Sequence, residues 1–297
     1  MLRVLSAQIE TLRSSLGTPE LIVCYDREEI DVDIVRSVLD ENISRASGLK
    51  YRLEPVSGLD YYQQKNHGAS VASGDFLLFL DSDIIPQPGW LEALLNAAIS
   101  SDGGVVGGHS YIETDTFLGR AFSLFWIFPL PDLARKTVPF PGFYANSVIF
   151  PRQLFLDTGF ETTGSVRGQC AVLSERLKAQ GIPILRAGGA RGSHPVPNGG
   201  IHLFRRALCH GHDAVTIDKR LGRWRLFGSA LATSFVRFIK NTGRAVVRIV
   251  GHHRAVGMPI YEIPAALAVA GTYYIVYLGG ELISIANPTY IPRRFTV

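Results

Sequence analysis

Residues 66–83, NHGASVASGDFLLFLDSD, constrain this 297-residue chain more than any other stretch. The run 76–80 contains only Phe and Leu and ends abruptly at Asp81-Ser82-Asp83. It reads as a buried strand with two carboxylates at its carboxyl edge. Open α/β sheets bind their ligands at that edge. Two aspartates one residue apart on a strand end suit a hard divalent cation that keeps some of its water and also takes phosphate oxygens. A nucleotide diphosphate is the natural partner. The plainer reading is a turn ahead of Pro86 and Pro88, since aspartate commonly opens turns.

The surrounding residues decide between these readings. Asn66, Gly68, Ala72, Gly74, Asp75, Leu80, Asp81, Asp83 and Trp90 follow one another in an order that resembles glycosyltransferase family 2. The resemblance implies an α/β, Rossmann-like nucleotide-diphospho-sugar transferase fold of the GT-A type. It further implies that Asp83 binds Mn²⁺ or Mg²⁺ against the donor diphosphate and that Asp81 lies near the ribose and sugar. Asn66 and Ser82 fall in the same donor-binding stretch.

Other segments fit the same resemblance. The apolar run 20–26 ends in Asp26, matching the family strand whose acid contacts the nucleotide base, although Asp26 also reads as a turn acid before the acidic stretch 28–33. Residues 143–152 and Gly159-Phe160-Glu161 are similar to the acceptor-side strand and its following loop. Residues 168–181 read as a helix closed by Gly181. A short strand at 184–187 is followed by His194, where the resemblance implies a histidine that completes the metal site.

One departure bears on mechanism. Where the family begins its helix with a Glu-Asp pair whose aspartate is the general base, this chain has Gln169-Cys170. An amide cannot accept the acceptor's proton, and loss of such a base costs roughly 10²–10⁴-fold in rate. Glu161 is the first fallback and Glu175 another. Cys170 as a nucleophile is the sharpest alternative; a thiol without a basic partner is ordinarily a small buried residue.

A second departure lies at the amino terminus. Leu2, Leu5, Ile9, Leu12 and Leu16 recur at helical spacing, so the chain begins in an amphipathic helix and the family's first strand is missing.

Past residue 215 the composition shifts. The reading is therefore a catalytic domain over 1–215, incomplete at its amino end, and a helical region over 216–297. From Trp224 to Gly251, Arg237, Lys240, Arg244 and Arg248 share one face of a helical pattern, with Leu231, Phe235, Phe238 and Ile239 either packed on the domain or set into a lipid interface. Residues 263–286 carry a single formal charge, Glu281, and are long enough to cross a bilayer. A charge near the bilayer centre is costly, so a helix lying in the interface or docked on the domain is the competing arrangement. Phe122, Phe125, Trp126 and Phe128 are expected to line an acceptor groove or face lipid.

The formal charge of +4 suits an anionic surface or phosphorylated substrate, and no nucleic-acid motif accompanies it. Cys24, Cys170 and Cys209 lack metal spacing and read as reduced thiols. Arg205-Arg206 either contacts phosphate or is a solvated basic face, and His210 and His212 do not share a helical face.

These readings converge on a metal-assisted transferase at the cytoplasmic face of a membrane, peripheral or with one carboxyl-terminal membrane segment. It would move a sugar from a nucleotide-diphospho-sugar to an acceptor hydroxyl of a glycan or lipid-linked substrate, in polysaccharide, glycolipid or cell-envelope glycan synthesis. The alternatives are a polyprenyl-phosphate sugar transferase and a non-catalytic nucleotide-sugar-binding scaffold.

Overall fold

In the computed structural model, which describes residues 1–128, 130, 136–161, 167–196, 199–223 and 229–295, the first element is a helix. In chain order the elements are α1 (Leu2–Leu12), β1 (Glu20–Asp26), α2 (Val32–Asn42), β2 (Lys50–Val56), α3 (Tyr61–Val71), β3 (Phe76–Leu80), β4 (Ile85–Pro86), α4 (Trp90–Ile99), β5 (Val105–Ile112), α5 (Phe117–Phe125), β6 (Thr137–Pro139), β7 (Ser147–Pro151), α6 (Arg152–Thr158), α7 (Gln169–Ala179), β8 (Ile184–His194), α8 (Gly199–Arg220), α9 (Ala230–His252), α10 (Ile263–Ala286) and α11 (Tyr290–Arg294). They divide into two units: Met1–Ser110, Asp132–Thr162 and Leu173–Ser193 form the first, and Tyr111–Pro131, Thr163–Val172 and His194–Val297 the second.

The first unit holds two sheets. β1 and β2 pair in parallel from Glu20↔Lys50 to Asp26↔Val56. The larger sheet has the order β3-β7-β5-β8-β4, with β6 attached to β8. β3 runs antiparallel to β7, pairing Phe76 with Pro151 and Leu80 with Ser147. Among the described residues no strand joins the two sheets.

Leu5 and Ile9 of α1 bury their one-turn spacing against Trp90, Leu91 and Leu94 of α4, in a core that includes Val106 and Ile149. Trp90 is 0% exposed, and its indole Nε1–H donates to Ser147 Oγ at 3.1 Å, so the one polar atom of a large apolar side chain is satisfied inside the core. α3 begins at a complete capping box, with Asp60 accepting from Gln63 N–H and the Gln63 side chain accepting from Asp60 N–H.

In the second unit α10 packs on α8 and α9. The α8 and α10 backbones meet directly: a Cβ on Gly211 would strike Tyr277 O, and one on Gly280 would strike Leu208 O. Phe122, Phe125, Trp126 and Phe128 are buried, with Trp126 Nε1–H donating to Tyr273 Oη at 3.1 Å and Tyr274 O–H donating to Phe125 O at 2.8 Å. This overturns the expectation that these aromatics line a groove or face lipid. Their area is taken up by the tyrosines of α10, a partnership no local pattern encodes.

Ion pairs tie α10 at both ends. Arg120 grips Glu262 in bidentate fashion at 2.6 and 3.0 Å, and Arg237 Nη1 lies 2.8 Å from Glu281 Oε1. Glu281 is 0% exposed, and burial pushes its carboxyl up to about 7, with Arg237 acting in the opposite direction. The single charge of the apolar segment is thus partnered within its own unit. Ile260–Ala286 is nonetheless the one described helical stretch long and apolar enough to cross a membrane by length and composition.

The amphipathic stretch is α9, capped by Ser229; Trp224 lies outside the described residues. Its basic face is divided. Arg237 also pairs with Asp218, and Arg248 donates to Ser123 O at 3.3 Å, whereas Lys240 and Arg244 are exposed.

Candidate functional site

The carboxyl end of β3 is shaped by backbone bonds on either side. Asp81 N–H donates to Asn146 O at 3.1 Å, and Asn146 Oδ1 accepts from Ser110 Oγ at 3.1 Å. Ile84 N–H then donates to Asp81 O at 3.1 Å, closing a turn whose tip is Ser82-Asp83. Ile84 is 0% exposed and anchors the turn from below, leaving Ser82 and Asp83 at the surface.

The two carboxylates of this turn therefore differ. Lys65 Nζ lies 2.7 Å from Asp81 Oδ1, and Tyr61 O–H reaches the two Asp81 oxygens at 2.9 and 2.8 Å. Tyr61 and Lys65 are one helical turn apart on α3, so both point to the same strand end, with Lys65 Nζ 4.6 Å from the Tyr61 ring centroid. Asp81 is fixed and charge-compensated. Asp83 is the carboxylate presented to solvent.

The other motif residues hold this arrangement together. Asn66 Nδ2–H donates to Phe160 O at 2.7 Å and its Oδ1 accepts Phe160 N–H at 3.0 Å, joining α3 to the loop after α6. Gly68 lets α3 lie against β1, since a Cβ there would sit 3.2 Å from Cys24 Sγ. Glu20 Oε1 accepts from the backbone of Ser73 and Gly74, at 2.6 and 3.3 Å, and the Ser73 bond leads the causes that hold this carboxyl below the usual range. Arg152 Nε–H donates to Ala72 O at 2.8 Å. The bend that starts β3 is thus clamped from two directions.

Asp26 ends β1 as expected, and its carboxylate accepts from Glu28 N–H at 2.9 Å and Gly58 N–H at 3.4 Å, organising the turns at the ends of both strands of the small sheet. Glu161 Oε1 pairs with Arg176 Nη1 of α7 at 2.9 Å, each side chain 33% exposed. Gln169 opens α7 as a buried amide beside the partly buried Cys170, both in the second unit. Desolvation, followed by the charge of Glu54, pushes the Cys24 thiol up, which disfavours a thiolate there.

His194 is the last residue of β8 and not a loop residue beyond a strand at 184–187, because the strand runs on through Ala190 and Gly192 to pair with β4. Its ring belongs to the second unit, 5.2 Å from Phe128 and 6.0 Å from Trp126 between centroids. Its Nδ1 lies 2.6 Å from Pro195 O and acts as the donor, which puts the neutral ring in the tautomer with its lone pair on Nε2. Among the described residues there is no group of three or more His, Cys, Asp or Glu that could hold a metal ion.

Residues 9–159, just over half of the chain, match the model of the family described as Glycosyl transferase family 2. The chain belongs to this family. Among curated proteins, human Polypeptide N-acetylgalactosaminyltransferase 15 is 29% identical over 155 residues, an alignment covering 45% of this chain and 24% of the relative. The chain thus spans about a quarter of the length of that relative. Among solved structures, the mannosyltransferase PcManGT from Pyrobaculum calidifontis in complex with GDP-Man and Mn²⁺ covers 97% of each chain at 13% identity and a TM-score of 0.53. GalNAc-T7 with UDP, GalNAc and Mn²⁺ covers 67% of this chain and 45% of its own, at 11% identity and a TM-score of 0.45. The family-2 assignment and the fold of PcManGT agree with the mixed α/β architecture described above.

Three residues at the β3 turn escape a reading of this family-2 sequence for site chemistry: Tyr61, Lys65 and Asn146. The signal for the first two was available, since their one-turn spacing puts them on one helix face just ahead of the strand. Asn146 acts through its backbone carbonyl, which carries no side-chain signature.

Proposed function

We propose that the chain is a glycosyltransferase that moves a sugar from a nucleotide-diphospho-sugar to an acceptor hydroxyl, with Mn²⁺ or Mg²⁺ assistance. The observation that carries this reading is the β3 turn. It presents Asp83 at an exposed tip beside an Asp81 already neutralised by Lys65, inside the segment that matches the family. A carboxylate exposed at the tip of a turn suits a cation that takes its remaining ligands from water and phosphate. Asp83 is the metal ligand of this reading. The bound metal would neutralise the departing diphosphate. Asp81, Ser82, Asp26 and Asn66 form or support the donor pocket, Asn66 by holding α3 to the Phe160 loop.

Gln169 cannot serve as general base, so the base of this reading is Glu161, whose carboxylate Arg176 orients. The catalytic part spans 1–215 and the helical part 216–297. The protein acts at a membrane surface on a glycan or lipid-linked acceptor, including a polyprenyl phosphate, in glycan synthesis at the cytoplasmic face. α10 carries its charge in an internal ion pair, and this favours peripheral attachment.

Calorimetric titration with UDP-, GDP- and dTDP-sugars, with and without Mn²⁺, tests the donor site. Metal-dependent binding that disappears in Asp83→Ala is expected; binding unaffected by the substitution would remove Asp83 from the site. Glu161→Gln is expected to leave donor binding intact and to lower transfer by roughly 10²–10⁴-fold. A second reading, a nucleotide-sugar-binding protein without transfer, is favoured by the buried amide of Gln169. It predicts donor binding with no turnover in the unsubstituted protein.

A further inference from the structure

Composition singles out α10 as the membrane helix, but its side chains point elsewhere. Tyr273 and Tyr274 are buried, and its exposed positions are Pro264, Ala265, Ala268, Thr272, Ile275 and Ala286, with only one large apolar side chain among them. α9 has the opposite character. Ser234, Ala245 and Ile249 face inward, while Leu231, Phe235, Ile239, Val246, Val247 and Val250 are exposed, Phe235 at 47% and both Ile239 and Val247 at 67%. At 3.6 residues per turn these six fall within an arc of about 160°. Lys240 and Arg244 are exposed along one border of the stripe, and α9 contains no Asp or Glu.

We propose that α9, not α10, is the membrane-contacting element: its stripe lies in the interface of a bilayer with anionic headgroups, Lys240 and Arg244 pair with those headgroups, and α10 remains a core helix of its unit. The choice of lipid rests on the membrane-associated reading above. An exposed apolar stripe bordered only by cations is the pattern of helices that lie in the interface plane. A second copy of this chain is a poor occupant, because a symmetric pairing through the stripe would bring Lys240 and Arg244 close to their own counterparts. Anionic lipid complements both the apolar and the charged part.

The test is co-sedimentation of the full chain with phosphatidylcholine vesicles and with mixed phosphatidylcholine–phosphatidylglycerol vesicles. Binding is expected to favour the anionic vesicles, to weaken with salt, and to be reversed by alkaline carbonate. Lys240→Glu with Arg244→Glu is expected to lower partition by about 30-fold or more, from the headgroup attraction of two cations. Phe235→Ser with Ile239→Ser is expected to lower it by about 30-fold through lost apolar burial. All four positions are exposed, and wild-type melting temperatures report that the fold is kept. Partition unchanged in both double variants, or resistance to carbonate, overturns the proposal and returns the contact to α10. A wild-type dimer that Phe235→Ser with Ile239→Ser dissociates, without vesicle binding, overturns it in favour of a second copy. Nucleotide-sugar binding measured on the same preparations separates the two readings: its loss counts against the transferase and not against α9.

Discussion

Lys65 reaches back from α3 to place its Nζ 2.7 Å from Asp81 Oδ1, with side chains only 12% and 17% exposed. Tyr61 bonds the same carboxylate from one turn earlier. The first aspartate of the motif is thereby held in one orientation by α3, while the turn that follows carries Asp83 outward.

This pairing predicts strong coupling. Lys65→Met leaves Asp81 with its hydroxyl partner alone and is expected to destabilise the chain by about 2 kcal/mol, since a largely buried charge loses its counter-ion. Asp81→Asn with Lys65→Met is expected to cost less than the sum of the single changes, with a coupling of about 1–3 kcal/mol in a thermal or urea double-mutant cycle. Additive effects would show that the two residues act independently.

The α8–α10 crossing predicts an intolerance to one methyl group. Gly280→Ala pushes a Cβ into Leu208 O, and Gly211→Ala into Tyr277 O, both backbone atoms that cannot swing aside. Each is expected to cost about 1–3 kcal/mol, as overpacking does, and to lower the melting temperature of the second unit. Gly271→Ala on the same helix, where nothing lies within 4 Å of the added Cβ, is the control and is expected to be neutral or slightly stabilising.

Tyr273 bonds two partners through one hydroxyl. Its hydroxyl accepts from Trp126 Nε1–H at 3.1 Å and is hydrogen-bonded to His210 Nδ1 at 2.5 Å, and burial, reinforced by the charges of Arg206 and Arg167, holds His210 down at about 3, so the ring stays neutral. Tyr273→Phe strands two buried polar atoms, each worth about 1–3 kcal/mol. A fall in stability of about 2–4 kcal/mol in chemical denaturation is expected, with donor binding at the β3 turn retained.

Glu281 predicts a pH dependence. Its folded value of about 7 lies above the ordinary value of 4.5, so between them the folded chain holds a proton that the unfolded chain has released. Its contribution to stability is full below about 4.5 and is lost as pH rises through about 7. Asp218 acts with burial to raise the value, and Arg237 and Ser234 act against it. Melting temperatures measured from pH 5 to 8 are expected to fall more steeply in the wild type than in Glu281→Gln. Parallel profiles would assign the slope to other groups.

The local elements were largely legible. The run 20–26 is β1, residues 76–80 are β3, and 263–286 is α10, because an apolar run bounded by polar or turn residues allows few local alternatives. The helix that begins at Gln169 was legible from its glycine stop. β8 was not. Its second half contains Gly188, Gly189, Ala190 and Gly192, which carry little strand propensity, and pairing with β4 at Gly192 and Ser193 carries it on toward His194.

What the sequence by itself determined about this protein is where its acids and cations stand along each element: two carboxylates at the end of a buried strand, a helix that begins with Gln169, a helix with cations and no acids. Those placements follow from chain order and from periods of two and 3.6 residues. Only the tertiary structure decided which charges meet. Lys65 compensates Asp81, Arg237 turns inward to Glu281 while Lys240 and Arg244 stay in solvent, and the aromatics after Gly119 pack on α10. The physical reason is distance along the chain: Arg237 and Glu281 are 44 residues apart, and no local pattern specifies a contact whose geometry is set by how two helices cross.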